Sequence, residues 1–202
     1  MQPPSGPEVT GILLAAGAGS RFGGGKLLHT LSGGERLGVR AWRNLRATLP
    51  VVIVVVRDTD RETEAVFRDA GASVVPCADA HLGMGHSLAC AVRARRQAAG
   101  WVIALADMPS VSPGTIRAVA GRIATGAGIV VPFYRGQRGH PVGFSAGFGE
   151  QLIGLTGDSG ARAILQGNPQ ALERIDVDDP GVLQDVDTLE DAHRLESGDT
   201  AG

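Results

Sequence analysis

The amino-acid sequence predicts an α/β fold built on a doubly wound, mostly parallel β-sheet. Short runs of β-branched residues alternate along the chain with longer amphipathic stretches, which is typical of parallel strands joined by crossover helices. Hydrophobic residues make up 43% of the 202 residues, and 30 residues are glycine. The chain is therefore long and apolar enough to bury a sizeable core, and its glycines indicate many tight backbone turns.

Five short apolar segments are predicted to be buried strands of this sheet. They are rich in valine and isoleucine, as strands buried on both faces are. In chain order they are VTGILLA from Val9, VVIVVVR from Val51, ASVVP from Ala72, WVIALAD from Trp101 and GIVVP from Gly128. Ligands in folds of this class bind at the carboxyl ends of the strands, so the residues that follow these segments are the first candidates for a site.

The stretches between and after these segments predict helices. An apolar stripe over residues 37–45 has helical spacing, DRETEAVFRDAG predicts a helix that ends at Gly71, and SLACAVRARRQAAG predicts one that ends at Gly100. Ser112 and Pro113 are typical of a helix start, with a capping serine before a proline at the first helical position. The segment TLEDAHRLE predicts the last helix.

Composition sets the domain organisation and excludes some functions. We expect one domain over residues 9–196, between a disordered segment at 1–8 and a flexible tail at 197–202. A net charge of −2 argues against binding to nucleic acid or to an anionic membrane surface. No segment has the pattern of a secretion signal or a membrane span. Cys77 and Cys90 lack metal-binding spacing, so we expect two reduced thiols in a cytoplasmic protein.

A glycine-rich stretch, LLAAGAGSRFGGGK at residues 13–26, follows the first predicted strand and carries Arg21 and Lys26. Glycine lets main-chain N–H groups approach phosphate oxygens, and the two cations would offset the phosphate charge. The dinucleotide-binding fingerprint does not fit, because Phe22 stands where its third glycine is needed. A P-loop does not fit either, because Leu27 stands where it needs Ser or Thr. The alternative is a flexible glycine turn that binds nothing.

Asp107 ends the WVIALAD segment, at the same edge of the predicted sheet as the glycine-rich stretch. A carboxylate beside a phosphate would repel it unless Mg²⁺ lies between the two groups. This placement favours a magnesium site, and the alternative is an aspartate that caps the next helix.

The stretch LLAAGAGSRFGGGK resembles the L-A-A-G-x-G-x-R-x-G-x-x-K signature of nucleotidyltransferases with the GT-A-like fold, which is a Rossmann-like fold. Further segments, in the same order along the chain, are similar to the branch that transfers cytidylyl or guanylyl groups to the molybdenum cofactor. They are GMGHSL at 83–88, ADMP at 106–109, RGHPVGF at 138–144, GDSGAR at 157–162 and DVDTLED at 185–191.

The resemblance implies a nucleotide site at the glycine-rich stretch. Main-chain groups there would line the nucleotide at Leu14, Ala15, Ala16, Gly17 and Gly19. Arg21 and Lys26 would hold the phosphates and Asp107 would bind Mg²⁺, so that these three form the catalytic group. Gly83 and Ser87 would face the base and the ribose.

A second carboxylate for the metal is implied near the end of the chain. Asp185 and Asp187 are separated by one residue, so on an extended segment both side chains would point the same way. One of them could complete the metal site, and the sequence leaves open which one does. It also leaves open that Asp187 or Thr188 only caps the last helix, with Asp191 as its partner.

The resemblance also implies an acceptor site in the second half of the chain. The residues that would face the phosphate or the ring system of the acceptor are Arg138, His140, Asp158 and Arg162. The other histidines are interpreted as structural, and these are His29, His81, His86 and His193.

The implied function is transfer of CMP from CTP to the terminal phosphate of molybdopterin or of its metal-loaded form, with Mg²⁺ as cofactor. Ala16 favours CTP, because relatives that use GTP commonly have glycine there and the methyl group takes room from a purine. Transient contact with proteins that mature molybdenum enzymes is also expected. The alternatives are a transferase that uses GTP or another phosphorylated acceptor, such as a sugar phosphate or another cofactor precursor, and a non-catalytic cofactor-binding chaperone. Ala106 and His86 depart from the glycine and serine common in relatives.

Overall fold

The strands of the computed structural model, which describes residues 8–17, 19 and 22–197, form one mixed sheet of eight strands. The strands are β1 Val9–Leu14, β2 Val51–Arg57, β3 Ser73–Cys77, β4 Gly100–Leu105, β5 Ile129–Tyr134, β6 Gln137–Arg138, β7 Val142–Ser145 and β8 Leu172–Asp176. The helices are α1 Leu37–Arg46, α2 Arg61–Asp69, α3 Met84–Ala94, α4 Pro113–Ala124, α5 Gly149–Ile153, α6 Arg162–Gly167 and α7 Leu189–Ser197. The predicted disordered ends lie almost entirely outside the described residues and stay a prediction.

The sheet is mostly parallel. Strands β3, β2, β1 and β4 are neighbours in that order and all pair in parallel. Strand β7 then pairs antiparallel with both β4 and β5, so β5 runs in the direction of β4, and β8 pairs in parallel with β5. Only β6 and β7 run in the opposite direction among the described strands, because they return the chain after the hairpin that follows β5.

Two apolar cores lie on opposite faces of the sheet. Helices α1, α2 and α4 cover one face, where Trp42, Phe67 and Ile116 are buried. Helices α3, α5 and α6 cover the other face, where Leu88 and Leu152 are buried. Successive strand residues point to alternate faces, so each central strand contributes to both cores. This arrangement of helices on both faces confirms the predicted doubly wound architecture.

The predicted third helix is shorter than expected. It ends at Ala94 rather than continuing to Gly100, which instead begins β4. The backbone of Arg95 leaves the helical conformation with φ of −129°, and the indole N–H of Trp101 donates a hydrogen bond to the Arg95 carbonyl at 3.2 Å. The buried Trp101 side chain of β4 thus provides the hydrogen bond to the Arg95 carbonyl that a main-chain N–H would provide in a longer helix.

A third, small apolar cluster joins α7 to the segment that follows the glycine-rich stretch. Leu31, Leu37, Val186 and Ala192 are buried in it, and Leu27 packs against it. This packing brings the end of the chain, which carries the two candidate aspartates, beside the glycine-rich stretch.

The remaining composition-based expectations concern the cysteines and the membrane. Cys77 and Cys90 are both free thiols, and burial, followed by the nearby Cys90, raises the pKa of Cys77 to about 12. Cys77 is therefore a thiol at neutral pH. None of the helices in the described part of the chain is long and apolar enough to cross a membrane.

Asp179 generates a prediction about stability. It is buried, and its Oδ2 accepts hydrogen bonds from the Ser112 N–H at 2.9 Å and from the Thr115 hydroxyl at 2.6 Å. Its Oδ1 accepts the Gly181 N–H at 3.1 Å. We expect Asp179→Asn to lower the free energy of unfolding by about 2–3 kcal/mol, because an amide turns one acceptor into a donor facing other donors. Urea denaturation should show a change within about 0.5 kcal/mol for the exposed neighbour variant Asp178→Asn, and equal losses would contradict the role of Asp179.

Candidate active site

A cavity of about 380 Å³ opens at the carboxyl ends of β1 and β4, the edge where parallel sheets bind ligands. The end of β1, the glycine-rich stretch, the start of α3 and the segment after β4 all face it. The sequence-predicted nucleotide-site residues that line it are Leu14, Ala15, Ala16, Gly17, Gly19, Lys26, Gly83, Ser87 and Asp107. Arg21, predicted to hold phosphates, lies outside the described residues.

Lys26 lies in the polar part of this cavity and contacts two carboxylates. Its Nζ donates hydrogen bonds to Asp107 Oδ2 at 2.7 Å and to Asp187 Oδ1 at 2.9 Å. The Lys26 side chain is 10% exposed, whereas the two carboxylate side chains are 26% and 23% exposed. Lys26 is also the only lysine in the sequence. One ammonium group therefore balances carboxylates from two segments far apart in the chain.

Local backbone structure brings these three side chains together. Gly25 has a φ of 63°, a left-handed conformation that glycine adopts without strain, and it leads into the 3-10 turn Lys26–Leu28. Asp107 lies in the turn beyond β4, so the prediction that it ends the strand is wrong by two residues. The Asp107 carbonyl accepts a hydrogen bond from the Val186 N–H at 2.9 Å. This bond fastens the segment that carries Asp187 beside Asp107.

The cap of α7 fixes the backbone next to Asp187. Asp191 Oδ2 accepts the Thr188 N–H and hydroxyl, both at 2.8 Å, and the Asp187 N–H at 3.1 Å. The Asp191 N–H in turn donates to Thr188 Oγ1 at 3.1 Å, which completes a capping box. The Thr188 hydrogen bond lowers the pKa of Asp191. The cap thus belongs to Thr188 and Asp191, while the Asp187 carboxylate contacts Lys26.

The electrostatics of the cluster suit a cation. Burial lowers the pKa of Lys26, but the hydrogen bonds and charges of Asp107, and then of Asp187, raise it above the ordinary value. Lys26 is therefore charged at neutral pH. Mg²⁺ in proteins is commonly held by one or two carboxylates, with substrate phosphates and water as the other ligands. Asp107 and Asp187 fit that donor set, because they supply two carboxylates whose oxygens meet at one point, Lys26 Nζ.

Asp185 differs from Asp187 in its surroundings. It is exposed, and it has no hydrogen-bond or ion-pair partner among the described residues. Of the two aspartates that the sequence could not separate, Asp187 is the one beside Lys26.

The segments GMGHSL and GDSGAR meet at one side of the cavity. The Gly85 N–H donates to the Gly157 carbonyl at 2.8 Å, and the Gly157 N–H donates to His86 Nδ1 at 3.2 Å. Gly83 has a φ of 124°, and a Cβ on it would lie 2.5 Å from Asp158 Oδ1. Asp158 lines this larger cavity, whereas the other predicted acceptor residues line the smaller one described below.

Sequence reasoning overlooked three residues of the larger cavity that have ionisable side chains, Arg57, Asp60 and His81. The Nε of Arg57 donates to the Ala16 carbonyl at 2.7 Å and so fixes the main chain of the glycine-rich stretch. Asp60 caps α2, and His81 was interpreted only as structural. The signal for Arg57 was available, because it ends an apolar strand at the same edge as Asp107.

A smaller cavity of about 130 Å³ adjoins the first and contains the remaining predicted acceptor residues, Arg138, His140 and Arg162. Its wall is otherwise mainly apolar, with Ile103 and Phe144 among the lining residues. The two cavities share the lining residues Leu14, Met84 and Leu105. Two ligands bound in them would therefore lie side by side.

His140 carries a buried nitrogen in the smaller cavity. Its main-chain N–H donates to the Val182 carbonyl at 2.9 Å, whereas its Nδ1 is buried and has no hydrogen-bond partner among the described residues. Burial lowers the pKa of His140, and the charge of Arg138 lowers it further, against a smaller opposite effect of Asp107. A neutral imidazole thus offers a polar atom to a ligand.

Comparisons with known proteins identify the relatives of this chain. The family described as MobA-like NTP transferase domain matches residues 11–175. The nicotine blue oxidoreductase of Paenarthrobacter nicotinovorans is 32% identical over 94% of this chain and 97% of its own length. The purine catabolism protein PucB of Bacillus subtilis is 33% identical over 92% of this chain and 94% of its own length. A solved structure of Rv0371c from Mycobacterium tuberculosis in complex with manganese is 26% identical, with a TM-score of 0.79, and covers 96% of this chain and 100% of that one.

The electrostatics of the smaller cavity generate a prediction. We expect the pKa of His140 to lie below its ordinary value of 6.5 and to rise in Arg138→Gln, because that change removes a positive charge that disfavours the imidazolium. A ¹H–¹³C NMR titration of the histidine rings measures it. Arg135→Gln, in the exposed turn of the same hairpin, should leave the His140 pKa unchanged. A His140 pKa above 6.5 in the unmodified protein would contradict the prediction.

Proposed function

We propose, on the premise that this chain belongs to the family of MobA-like NTP transferase domains, that it is a Mg²⁺-dependent cytidylyltransferase. It would transfer CMP from CTP to the terminal phosphate of molybdopterin or of its metal-loaded form. The observation that carries the proposal is the Lys26 ammonium between the carboxylates of Asp107 and Asp187, on the wall of a cavity formed by a glycine-rich loop.

This cluster supports a reaction at a polyphosphate. Main-chain N–H groups of the glycine-rich loop would orient the triphosphate, and Lys26 and Arg21 would neutralise its charge. Asp107 and Asp187 would hold Mg²⁺, which when bound supplies charge neutralisation on the phosphate oxygens. Deleting one preorganised electrostatic contact of this kind typically costs about 3–4 kcal/mol of transition-state stabilisation.

The chemical step needs positioning more than covalent help from the protein. An oxygen of the acceptor phosphate would attack the α-phosphorus of CTP in line and form the new P–O bond. The bond from the α-phosphorus to the oxygen that bridges to the β-phosphate would break, and pyrophosphate would leave with that electron pair. Holding the two reactants in adjacent cavities turns a bimolecular encounter into an oriented one, which is a large part of such catalysis.

The choice of CTP rests on Ala16. Its side chain is buried and lines the larger cavity, and its carbonyl is held by Arg57. A methyl group on a main chain that is fixed in this way cannot easily move aside for a larger base. Steric exclusion of a purine supports a pyrimidine nucleotide, which Gly83 and Ser87 in the same cavity would accommodate.

The choice of acceptor rests on the smaller cavity. An apolar wall suits a ring system, and Arg138 and Arg162 suit a phosphate. His140 Nδ1, which has no hydrogen-bond partner among the described residues, would give the ring system one. Transient contact with a protein that matures molybdenum enzymes would follow release of the product, and the cytoplasm is the proposed location.

The two curated relatives carry names of different chemistry, one an oxidoreductase and one a purine catabolism protein. Two carboxylates and an ammonium beside a glycine-rich loop handle phosphate charge, which a hydride or electron transfer does not require. For that reason we propose nucleotidyl transfer for this chain rather than redox chemistry.

The test of the proposed function compares nucleotides with one acceptor. Pyrophosphate release is measured with CTP, GTP, ATP and UTP in the presence of molybdopterin, with a sugar phosphate as control acceptor. We expect the highest kcat/KM for CTP and expect Ala16→Gly to shift the CTP-to-GTP ratio toward GTP by about 1–3 kcal/mol, since one methyl group is a modest barrier. A preference for GTP in the unmodified protein would refute the cytidylyl assignment, and no pyrophosphate release with any nucleotide would refute the transfer.

The carboxylates give a second prediction. We expect Asp107→Asn to reduce kcat at least a hundredfold and Asp187→Asn to reduce it at least tenfold, because each loses a charged metal ligand. Asp185→Asn is the matched control and should stay within about twofold, since Asp185 is exposed and unpaired among the described residues. Thermal melting checks that all three variants fold. Equal, mild effects at positions 107 and 187 would remove the metal role from both.

A further inference from the structure

We propose that Lys26 is an internal counter-ion that keeps a divalent cation away from Asp107 and Asp187 until a nucleotide binds. The nucleotide's identity rests on the proposed function, whereas the competition between lysine and metal stands on the geometry alone. The site would then take its metal together with the nucleotide and not before it.

The first step of the argument is that lysine and metal compete for the same oxygens. Asp107 Oδ2 and Asp187 Oδ1 both lie within hydrogen-bond distance of one atom, Lys26 Nζ, at 2.7 and 2.9 Å. An ion that binds both oxygens must therefore displace the ammonium group from between them. The Lys26 side chain is the least exposed of the three at 10%, so the ammonium group is held close to both carboxylates rather than in solvent.

The second step is charge. A divalent cation that approached this pair with Lys26 in place would meet a positive charge at contact distance in a partly buried site, where repulsion is only weakly screened by salt. The ammonium of Lys26 offsets one of the two carboxylate charges, which weakens the attraction for a hydrated Mg²⁺ ion that gives up its water reluctantly.

The third step is how a nucleotide would release the pair. Gly19 and Gly25 line the cavity together with Lys26, so a triphosphate cradled there would bring negative oxygens close to Lys26 Nζ. The ammonium sits on a flexible four-carbon stem with three donors that rotate freely. Turning toward the phosphates would keep Lys26 paired, and the two carboxylates would then attract the cation that the phosphates also bind.

Arg57 shows why this role falls to Lys26. The Arg57 guanidinium lines the same cavity, but its Nε donates to the main-chain carbonyl of Ala16. Removing the charge of Arg57 therefore leaves the contacts between Lys26 and the two carboxylates in place. Arg57→Met is a matched control for losing one cation from the cavity.

The experiment measures Mn²⁺ binding by electron paramagnetic resonance in the full chain, first without any nucleotide. We expect Lys26→Met to bind Mn²⁺ at least tenfold more tightly than the unmodified protein, and Arg57→Met to bind it within about twofold of the unmodified protein. If Lys26→Met binds Mn²⁺ no more tightly than the unmodified protein does, the proposal is overturned. In the unmodified protein, CTP should tighten Mn²⁺ binding beyond the affinity of CTP for Mn²⁺ in solution, and no tightening by CTP, GTP, ATP or UTP overturns it as well.

A second measurement does not depend on the folding of a variant. Because Lys26 is the only lysine, labelling with [ζ-¹⁵N]lysine gives a single side-chain NMR signal from the unmodified protein. We expect Mg²⁺ alone to leave this signal unchanged and Mg²⁺ with nucleotide to shift it, and a saturable shift with Mg²⁺ alone overturns the proposal. If GTP or ATP shifts the signal and CTP does not, the counter-ion role stands and the CTP assignment fails.

Discussion

The contact of one ammonium with two carboxylates is the interaction on which the arrangement of this site depends. Asp107 and Asp187 approach the same atom from different segments, and without a cation between them they would repel each other in a partly buried place. Lys26 removes that repulsion while the site holds no substrate. Losing one member of such a cluster leaves an uncompensated charge, which costs more than the cluster contributes when it is complete.

The fold brings two of these side chains together because their segments start from neighbouring strands. Strands β1 and β4 are neighbours in the centre of the sheet, and the residues Leu14 and Leu105 at their ends are directly paired. The glycine-rich stretch and the turn of Asp107 therefore start from adjacent points on a rigid edge. A site built on the ends of paired central strands is held more precisely than one built on loops alone, and the loops then need only short distances to reach each other.

The sequence predicted those parts of the molecule that depend on local pattern. The apolar strands buried on both faces and the helix start at Ser112–Pro113 could be predicted, because hydrophobic periodicity, helix caps and glycine positions are features of the local sequence. Strand β8, with the sequence LERID, was not predicted, because it is short and only partly buried and because its pairing with β5 is a long-range contact. The helix ending at Ala94 rather than Gly100 was misjudged because the deciding contact comes from Trp101 in the next strand.

At the site, too, local sequence patterns could be predicted and long-range contacts could not. Asp107 follows a strong strand signal, whereas the choice between Asp185 and Asp187 was open because alternation puts both on one side of an extended segment. Two contacts with distant parts of the chain decide it, the Val186 N–H on the Asp107 carbonyl and the burial of Val186 beside Leu31 and Leu37. Neither contact has a signature in the local sequence.

The two carboxylates also differ in how firmly the protein holds them. The family match covers residues 11–175, which include Lys26 and Asp107 but not Asp187. Asp107 is anchored by β4, which is paired on both sides within the sheet. Asp187 is held by a small apolar cluster, one main-chain hydrogen bond and the capping box of α7. The hydrogen bond and the cap each contribute on the order of 1 kcal/mol. A brief local unfolding of α7 would move Asp187 and leave Asp107 in place. The local stability of the C-terminal segment therefore limits the fraction of time for which both carboxylates are in position.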